Sequence, residues 1–479
     1  MGVLSHLEPR EVFYYFEEIC KVPHPSYHEK MLSDYCVRFG KEHQLEVYQD
    51  EHNNVILIKE ATKGYEEAET VVLQGHLDMV AQKTADCSID FLKDPLELEV
   101  VGDYVRAKGT TLGGDDGIAV AYGLALLASD TIPHPRLEVI FTTGEEVGLL
   151  GAAAIDVSMC KGRRMINLDS EDEGIFLSGC AGGATASVCM PLERMKKQGT
   201  AFKINVTGLQ GGHSGMEIHK GRENANIYMV KVLEYLEKEC DFSILSLQGG
   251  DKDNAIPREG EAQVVTTEPE CFRQKFEDVK KIMEKEYQHQ EPDAKLSFLQ
   301  KEEGKYSCLS EADWKHVKEY FAQMPNGVQA MSKDVEGLVE TSLNLGILYM
   351  DEGGMHTSYS VRSSIDQEKE TLMDHMRCIS KQWNAKMDVC GNYPGWQYQP
   401  ESRLRQDMKR IFMDMYGKEP VIEAIHAGVE CGLFAQKMPG LDCVSIGPDM
   451  DDIHTTEEQL SISSVKRVWE FLLEVLKLK

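Results

Sequence analysis

Five short stretches carry residues able to do chemistry. GHLDM holds His76 and Asp78, which are two apart and so lie on one side of an extended strand. At that spacing the carboxylate can hold the ring's second N–H, as a metal-bound imidazole requires. GTTLGGDDG carries Asp115 and Asp116 behind two glycines that free the backbone to turn. FTTGEEVG sets Glu145 beside Glu146, NLDSEDEG supplies Asp169, and DDIHTTEE supplies His454. Singly, each has a plainer reading: a satisfied core histidine, or acidic caps at a helix N-terminus. Together they deliver two histidines and at least three carboxylates, a mixed donor set that suits zinc, or manganese or cobalt in the same pocket.

Charge counting sharpens the assignment. Two divalent ions bring four positive charges, and Asp115, Glu146 and Asp169 with a bridging hydroxide bring four negative. Glu145 is then left over, free to act as general base on the water between the ions. Adjacent side chains of an extended chain point opposite ways. The paired glutamates therefore read as a division of labour, one binding metal and its neighbour moving the proton.

The elements that must position these residues are strands and helices in alternation. Val12, Phe13, Phe16 and Ile19 recur at helical intervals behind a Ser5–Glu8 capping box, and a second helix is expected near 30–39. Apolar strand-like runs follow at NVILI (54–58), TVVLQGHLDMV (70–80), RLEVIFTT (136–143) and RRMINLDS (163–170), with a helical GIAVAYGLALLAS (117–129) among them. This pattern predicts an α/β layer with a mixed, mostly parallel sheet flanked by helices. In such sheets, sites form at one end of the strands.

After GCAGGA (179–184) the texture changes. A short strand KINVT (203–207), a long amphipathic helix in RENANIYMVKVLEYLEKE, further strands and helices near 273–286 and 311–323 predict an inserted α+β domain. CGNYPGWQYQPES (390–402) reads as a linker back, and LDCVSIGP (441–448) as a last strand of the first domain. The expected division is a discontinuous catalytic domain, 1–186 and 393–479, interrupted by 187–392.

Composition bounds the partners. With 80 acidic against 51 basic residues and a formal charge of -29, the surface repels nucleic acid and anionic membranes. No apolar run is long enough to span a bilayer, and the N-terminal stretch, bearing Glu8, Arg10 and Glu11, lacks a signal peptide's apolar core. The 13 cysteines form no CxxC pair and sit mostly in apolar segments, as free thiols of a reducing compartment do. A cytoplasmic protein is expected.

GHLDMV, TTLGGDDG, TTGEEVGLLGA, LDSED and IHTTEE, in this order, resemble the co-catalytic dizinc peptidases, the family of carnosinases, aminoacylases and glutamate carboxypeptidases. GGHSGMEIHKGRENAN, NAIPRE, GLVETSLNLG and HAGVECGLF are similar to that family's bacterial aminoacyl-histidine dipeptidase branch (Xaa-His, peptidase D type). The likeness runs essentially the whole length. It implies a zinc-exopeptidase type of fold in which 187–392 is a lid that also carries homodimer contacts.

By the same resemblance His76, Asp115, Glu146, Asp169 and His454 are the metal ligands, with Asp115 bridging both ions and a cis peptide at Asp115–Asp116. Many relatives have Asn where Asp116 stands. Asp78 resembles the residue that orients the metal-bound ring, and Glu145 the general base. His213 resembles a histidine that stabilises the tetrahedral oxyanion, and Asn254 and Arg362 the groups that hold a substrate carboxylate, a task suited to a bidentate guanidinium. Gly428 and Glu430 are candidates for the amino-end pocket. The implied activity is hydrolysis of short peptides, chiefly dipeptides including Xaa-His, by water activated between two metal ions, most simply Zn, with Co or Mn possible. The alternatives are an N-acyl amino acid amidohydrolase on the same site and a non-catalytic relative that kept the fold.

Overall fold

The protein is described by a computed structural model covering residues 2–479. It divides into two compact units, one of residues 2–180, Trp396–Ala424 and Val429–Lys479, the other of Ala181–Gly395 with Ile425–Gly428. Each has its own apolar core.

The first unit is built on an 8-stranded sheet. Its centre is parallel: Leu137–Thr142, Val71–His76, Arg164–Asn167 and Asp442–Ser445 lie side by side in that order. Antiparallel strands border this centre, with Val55–Lys59 and Glu46–Gln49 on one side and Ile175–Cys180 on the other. The sheet is thus mixed with a parallel middle, as its apolar runs predict. Val71–His76 and Leu137–Thr142 are buried at every position, which is why they read as continuous apolar runs and not as alternating ones.

The helix Gly114–Ala128 is buried all round from Gly114 to Leu127, the pattern of a core helix. It packs close on the strand Val71–His76. A Cβ at Gly75 would lie 2.5 Å from both Ala119 Cβ and Asp116 Oδ2, so only glycine fits. A small 4-stranded sheet pairs Met450–Asp451 with Gln459–Ser461, then Tyr104–Ala107 and Leu98–Val101. Residues 452–458 form the excursion between its first two strands.

The second unit is an antiparallel sheet, running Lys295–Leu309, Arg194–Thr207, Gly260–Thr266, Ser243–Gly249, Val339–Asp351, Gly354–Ser363, Gly182–Met190 and Lys386–Tyr393. Its helices Ala225–Glu237, Pro269–Tyr287, Glu311–Gln323 and Asp366–Gln382 present apolar faces to one core. The α+β expectation holds.

Three local expectations do not. The Ser5–Glu8 box caps nothing: the first helix is Arg10–Cys20 with Pro9 at its N-cap and no side-chain cap bond. KINVT is no short strand but the end of the long Arg194–Thr207, whose polar half has no apolar signature because much of it is exposed. The first residues of the expected linker, Cys390–Tyr393, extend a strand. All the cysteines are free.

Candidate metal centre

Three parallel strands of the first unit end at or within a few residues of the expected site, and the fourth leads to it through a further short strand. His76 closes its strand. Glu145 and Glu146 follow Thr142, Asp169 follows Asn167, and His454 lies beyond Ser445. Asp115 enters from the turn that starts the buried helix, where its φ/ψ of −83°/104° is not helical and the Asp115–Asp116 peptide is cis.

These residues meet. Asp115 Oδ1 lies 3.0 Å from His76 Nε2, and that nitrogen is 3.6 Å from Asp169 Oδ1. Asp115 Oδ2 lies 3.0 Å from His454 Nε2, which is 2.9 Å from Glu146 Oε1. The two oxygens of one carboxylate therefore serve two half-sites, each completed by one histidine and one further carboxylate. Asp115, Glu146 and His454 form one group with donor atoms all within 4.8 Å of one another, and His76, Asp116 and Asp169 and also His76, Glu145 and Glu146 form two more.

The side-by-side glutamates converge on His76 because the chain is no longer extended there. It turns at Gly144, whose φ is +60°. Two buried carboxylates hold that turn: Asp78 accepts the N–H groups of Glu145 and Glu146 at 3.0 and 3.3 Å, and Glu29 accepts those of Gly144 and Tyr27 at 3.1 and 2.8 Å. Ser26 Oγ donates to Asp78 at 2.9 Å. The contact to His76 Nδ1 is mainly the main-chain oxygen of Asp78, at 2.9 Å, with its carboxylate at 3.5 Å. Asp78 thus orients the ring chiefly through its backbone, while its side chain shapes the glutamate turn.

Electrostatics follow from packing so many carboxylates together. Burial, with help from neighbouring carboxylates, pushes Glu145 and Asp116 well above the usual range and raises Asp169 to about 7. His454, bonded to Asp115 and Glu146, is raised to about 10. His76 is raised as well, since Asp115 and Asp169 outweigh its burial. Burial alone would raise Asp115 too, but His454 and His76 hold it below the ordinary value. Such a cluster takes up protons because it lacks positive charge, and divalent cations are the natural replacement. The donor chemistry fits: Asp116 Oδ1 is buried without a hydrogen bond, and the nitrogen–oxygen spacings suit ligands about 2.0–2.2 Å from a shared ion.

The remaining expected residues are placed as follows. Glu430 is wholly buried in the first unit, its Oε2 accepting hydrogen bonds from Gln74 and from Thr142 at 2.7 Å while its Oε1 has no partner. His213, Asn254, Arg362 and Gly428 belong to the second unit. There Arg362 is buried, its Nε without a partner, and among the described residues it makes no ion pair. Its Nη1 lies 3.4 Å from Tyr393 Oη. Burial and the Arg362 charge lower the pKa of His213 and take that of His426 down to about 3. His426 Nε2 is 2.7 Å from Ser342 Oγ. A Cβ at Gly428 would sit 2.8 Å from the Tyr393 ring. A buried, unpaired guanidinium is costly unless an anion completes it.

Glu29, Glu458 and His426 were not predicted to matter. Glu458 was visible inside IHTTEE, but only its hydrogen bonds single it out. Glu29 and His426 carry no signal in the sequence that separates them from ordinary polar residues.

Comparison with known proteins agrees with this geometry. The sequence model of Peptidase family M20/M25/M40 matches residues 72–478. The cytosol non-specific dipeptidase of Escherichia coli (strain K12) is 37% identical over 481 residues, covering 100% of this chain and 99% of its own. A crystal structure of aminoacylhistidine dipeptidase from Vibrio alginolyticus superposes with a TM-score of 0.92 at 35% identity, over 99% of this chain and 98% of that one. Aminopeptidase PepT from Bacillus cereus, at 15% identity and a TM-score of 0.57 over 98% of each chain, shares the fold.

Proposed function

This chain belongs to peptidase family M20/M25/M40, and from that premise we propose that it hydrolyses the peptide bond of dipeptides, Xaa-His among them. The observation that carries the reading is the splitting of Asp115: one oxygen toward His76 and Asp169, the other toward His454 and Glu146. That arrangement would hold two divalent cations, most simply zinc given the mixed imidazole and carboxylate donors. Bound there, such a pair supplies Lewis acidity, polarising the scissile carbonyl and making water acidic.

The chain's own residues do the rest. Glu145 is part-buried, is needed by neither half-site, and has an elevated proton affinity, the properties of a group that takes a proton from water and later releases it. Water oxygen adds to the carbonyl carbon as Glu145 accepts the proton. The carbon–nitrogen bond then breaks as Glu145 returns that proton to the leaving amine. Asp78 keeps Glu145 and Glu146 in place through their main-chain N–H groups. To the second unit we assign substrate handling: Arg362, with Asn254, for the carboxylate end, His213 for the oxyanion, and Gly428 for close backbone approach. Homodimerisation through that unit and a cytosolic location complete the proposal. Among the described residues no helix is long and apolar enough to cross a membrane.

The test is a substrate panel on metal-loaded protein: Xaa-His dipeptides, other dipeptides, tripeptides and N-acetyl amino acids. Dipeptides should be cleaved with the highest kcat/KM. Faster turnover of N-acetyl amino acids would replace this reading with an amidohydrolase one, and no turnover of any amide would remove it.

A further inference from the structure

Glu458 stands four residues after His454 and is 3% exposed. Its carboxylate is fully engaged at a distant point of the chain: Oε2 accepts the N–H of Leu112 at 2.7 Å and of Gly113 at 3.2 Å, and Oε1 accepts that of Gly114 at 2.8 Å. Three successive main-chain N–H groups converge on one carboxylate, an anion-holding nest made by the turn at Gly113, whose φ is +68°. The next residue is Asp115, the carboxylate shared by the two half-sites.

We infer that Glu458 is a positioning residue that sets the His454 half-site, by tying the turn that carries Asp115 to the excursion that carries His454. The Glu458 carboxylate faces the main-chain N–H groups of Leu112–Gly114 and belongs to none of the three donor groups that could hold a cation among the described residues. What it joins are two ligand carriers that nothing in sequence brings together. The two half-sites do not depend on it equally. The His76 side chain is 1% exposed and rooted in a central strand, while the His454 side chain is 44% exposed, at a backbone φ of +63° in a short excursion. The exposed half-site therefore relies on the tie, and the buried one does not.

The inference rests on the cluster being a two-cation centre, and one titration tests both. Chelator-stripped protein is titrated with Co2+ alone, read by cobalt's visible absorption and by equilibrium dialysis, with thermal unfolding of the metal-free proteins in parallel. Native protein should take up two ions per chain; uptake of none would overturn the two-cation reading itself. Glu458→Gln turns an NH2 toward N–H donors. It should keep the first ion but bind the second about tenfold or more weakly, with metal-free unfolding close to native. The exposed neighbour variant Glu457→Gln should titrate as native. Native affinity for both ions in Glu458→Gln, or equal loss of both, overturns the assignment. Should that variant not fold, Glu458→Asp, too short to reach all three N–H groups, decides in the same assay: selective loss of the second ion supports the tie, and native binding overturns it.

Discussion

Glu145 and Glu146 show how position, not chemistry, separates two identical side chains. Glu146 Oε1 lies 2.9 Å from His454 Nε2 and so belongs to a half-site. Glu145 groups with His76 and Glu146, outside the pairs that Asp115 makes with His76 and His454. Replacing Glu145 by Gln preserves volume and the main-chain bond to Asp78 but removes the proposed proton acceptor. It should lower kcat by about 10²–10⁴-fold while leaving metal content, measured by atomic emission, unchanged. A Gln variant with native kcat would take the general-base role from Glu145. Asp116 illustrates the converse: it accepts the main-chain N–H of His76 at 3.1 Å, a bond an amide oxygen can accept equally well.

At the level of elements, the site exists because parallel strands deliver their carboxyl ends to one edge. In register, His76 stands opposite Thr142, and Gln74 opposite both Ile140 and Asn167. The residues after each strand then start from neighbouring points. The buried helix must lie close to this edge for Asp115 to reach it, and Gly75 permits that approach. Gly75→Ala places a methyl 2.5 Å from Ala119 and Asp116, forcing strand and helix apart. The expected cost is about 1–3 kcal/mol in urea unfolding, accompanied by weaker metal binding because Asp116 is pushed against its neighbour Asp115. Unchanged stability and metal affinity would mean that the helix shifts without moving the site.

Across the whole molecule, the excess of 80 acidic over 51 basic residues is a repulsive load as well as a bar to anionic partners. Screening at a Debye length of about 8 Å at physiological ionic strength relieves exposed like-charge repulsion. The melting temperature of metal-free protein should therefore rise by several degrees between low salt and physiological salt, while the rate of divalent-ion uptake should fall. A melting temperature that falls with salt would show that attractive surface pairs outweigh the net charge. The free cysteines, mostly buried among apolar side chains, leave folding to the two cores and not to disulfides.

Much of this was legible in the sequence. Buried parallel strands write themselves as unbroken apolar runs, glycines before acids announce a turn, and a mixed set of histidines and carboxylates at strand ends can serve few purposes besides metal. These signals are local, so the candidate donor residues, the α/β layer and the inserted domain could be read in order along the chain. Other features depended on contacts between residues hundreds apart. Only the fold decided that Asp115 divides its oxygens between His76 and His454, that Glu430 turns inward to Gln74 and Thr142, that Asp78 steadies the glutamate turn, and that Glu458 clasps Leu112–Gly114. A buried carboxylate looks the same in sequence whether it meets a cation, a water or three backbone N–H groups; what it meets is settled by packing.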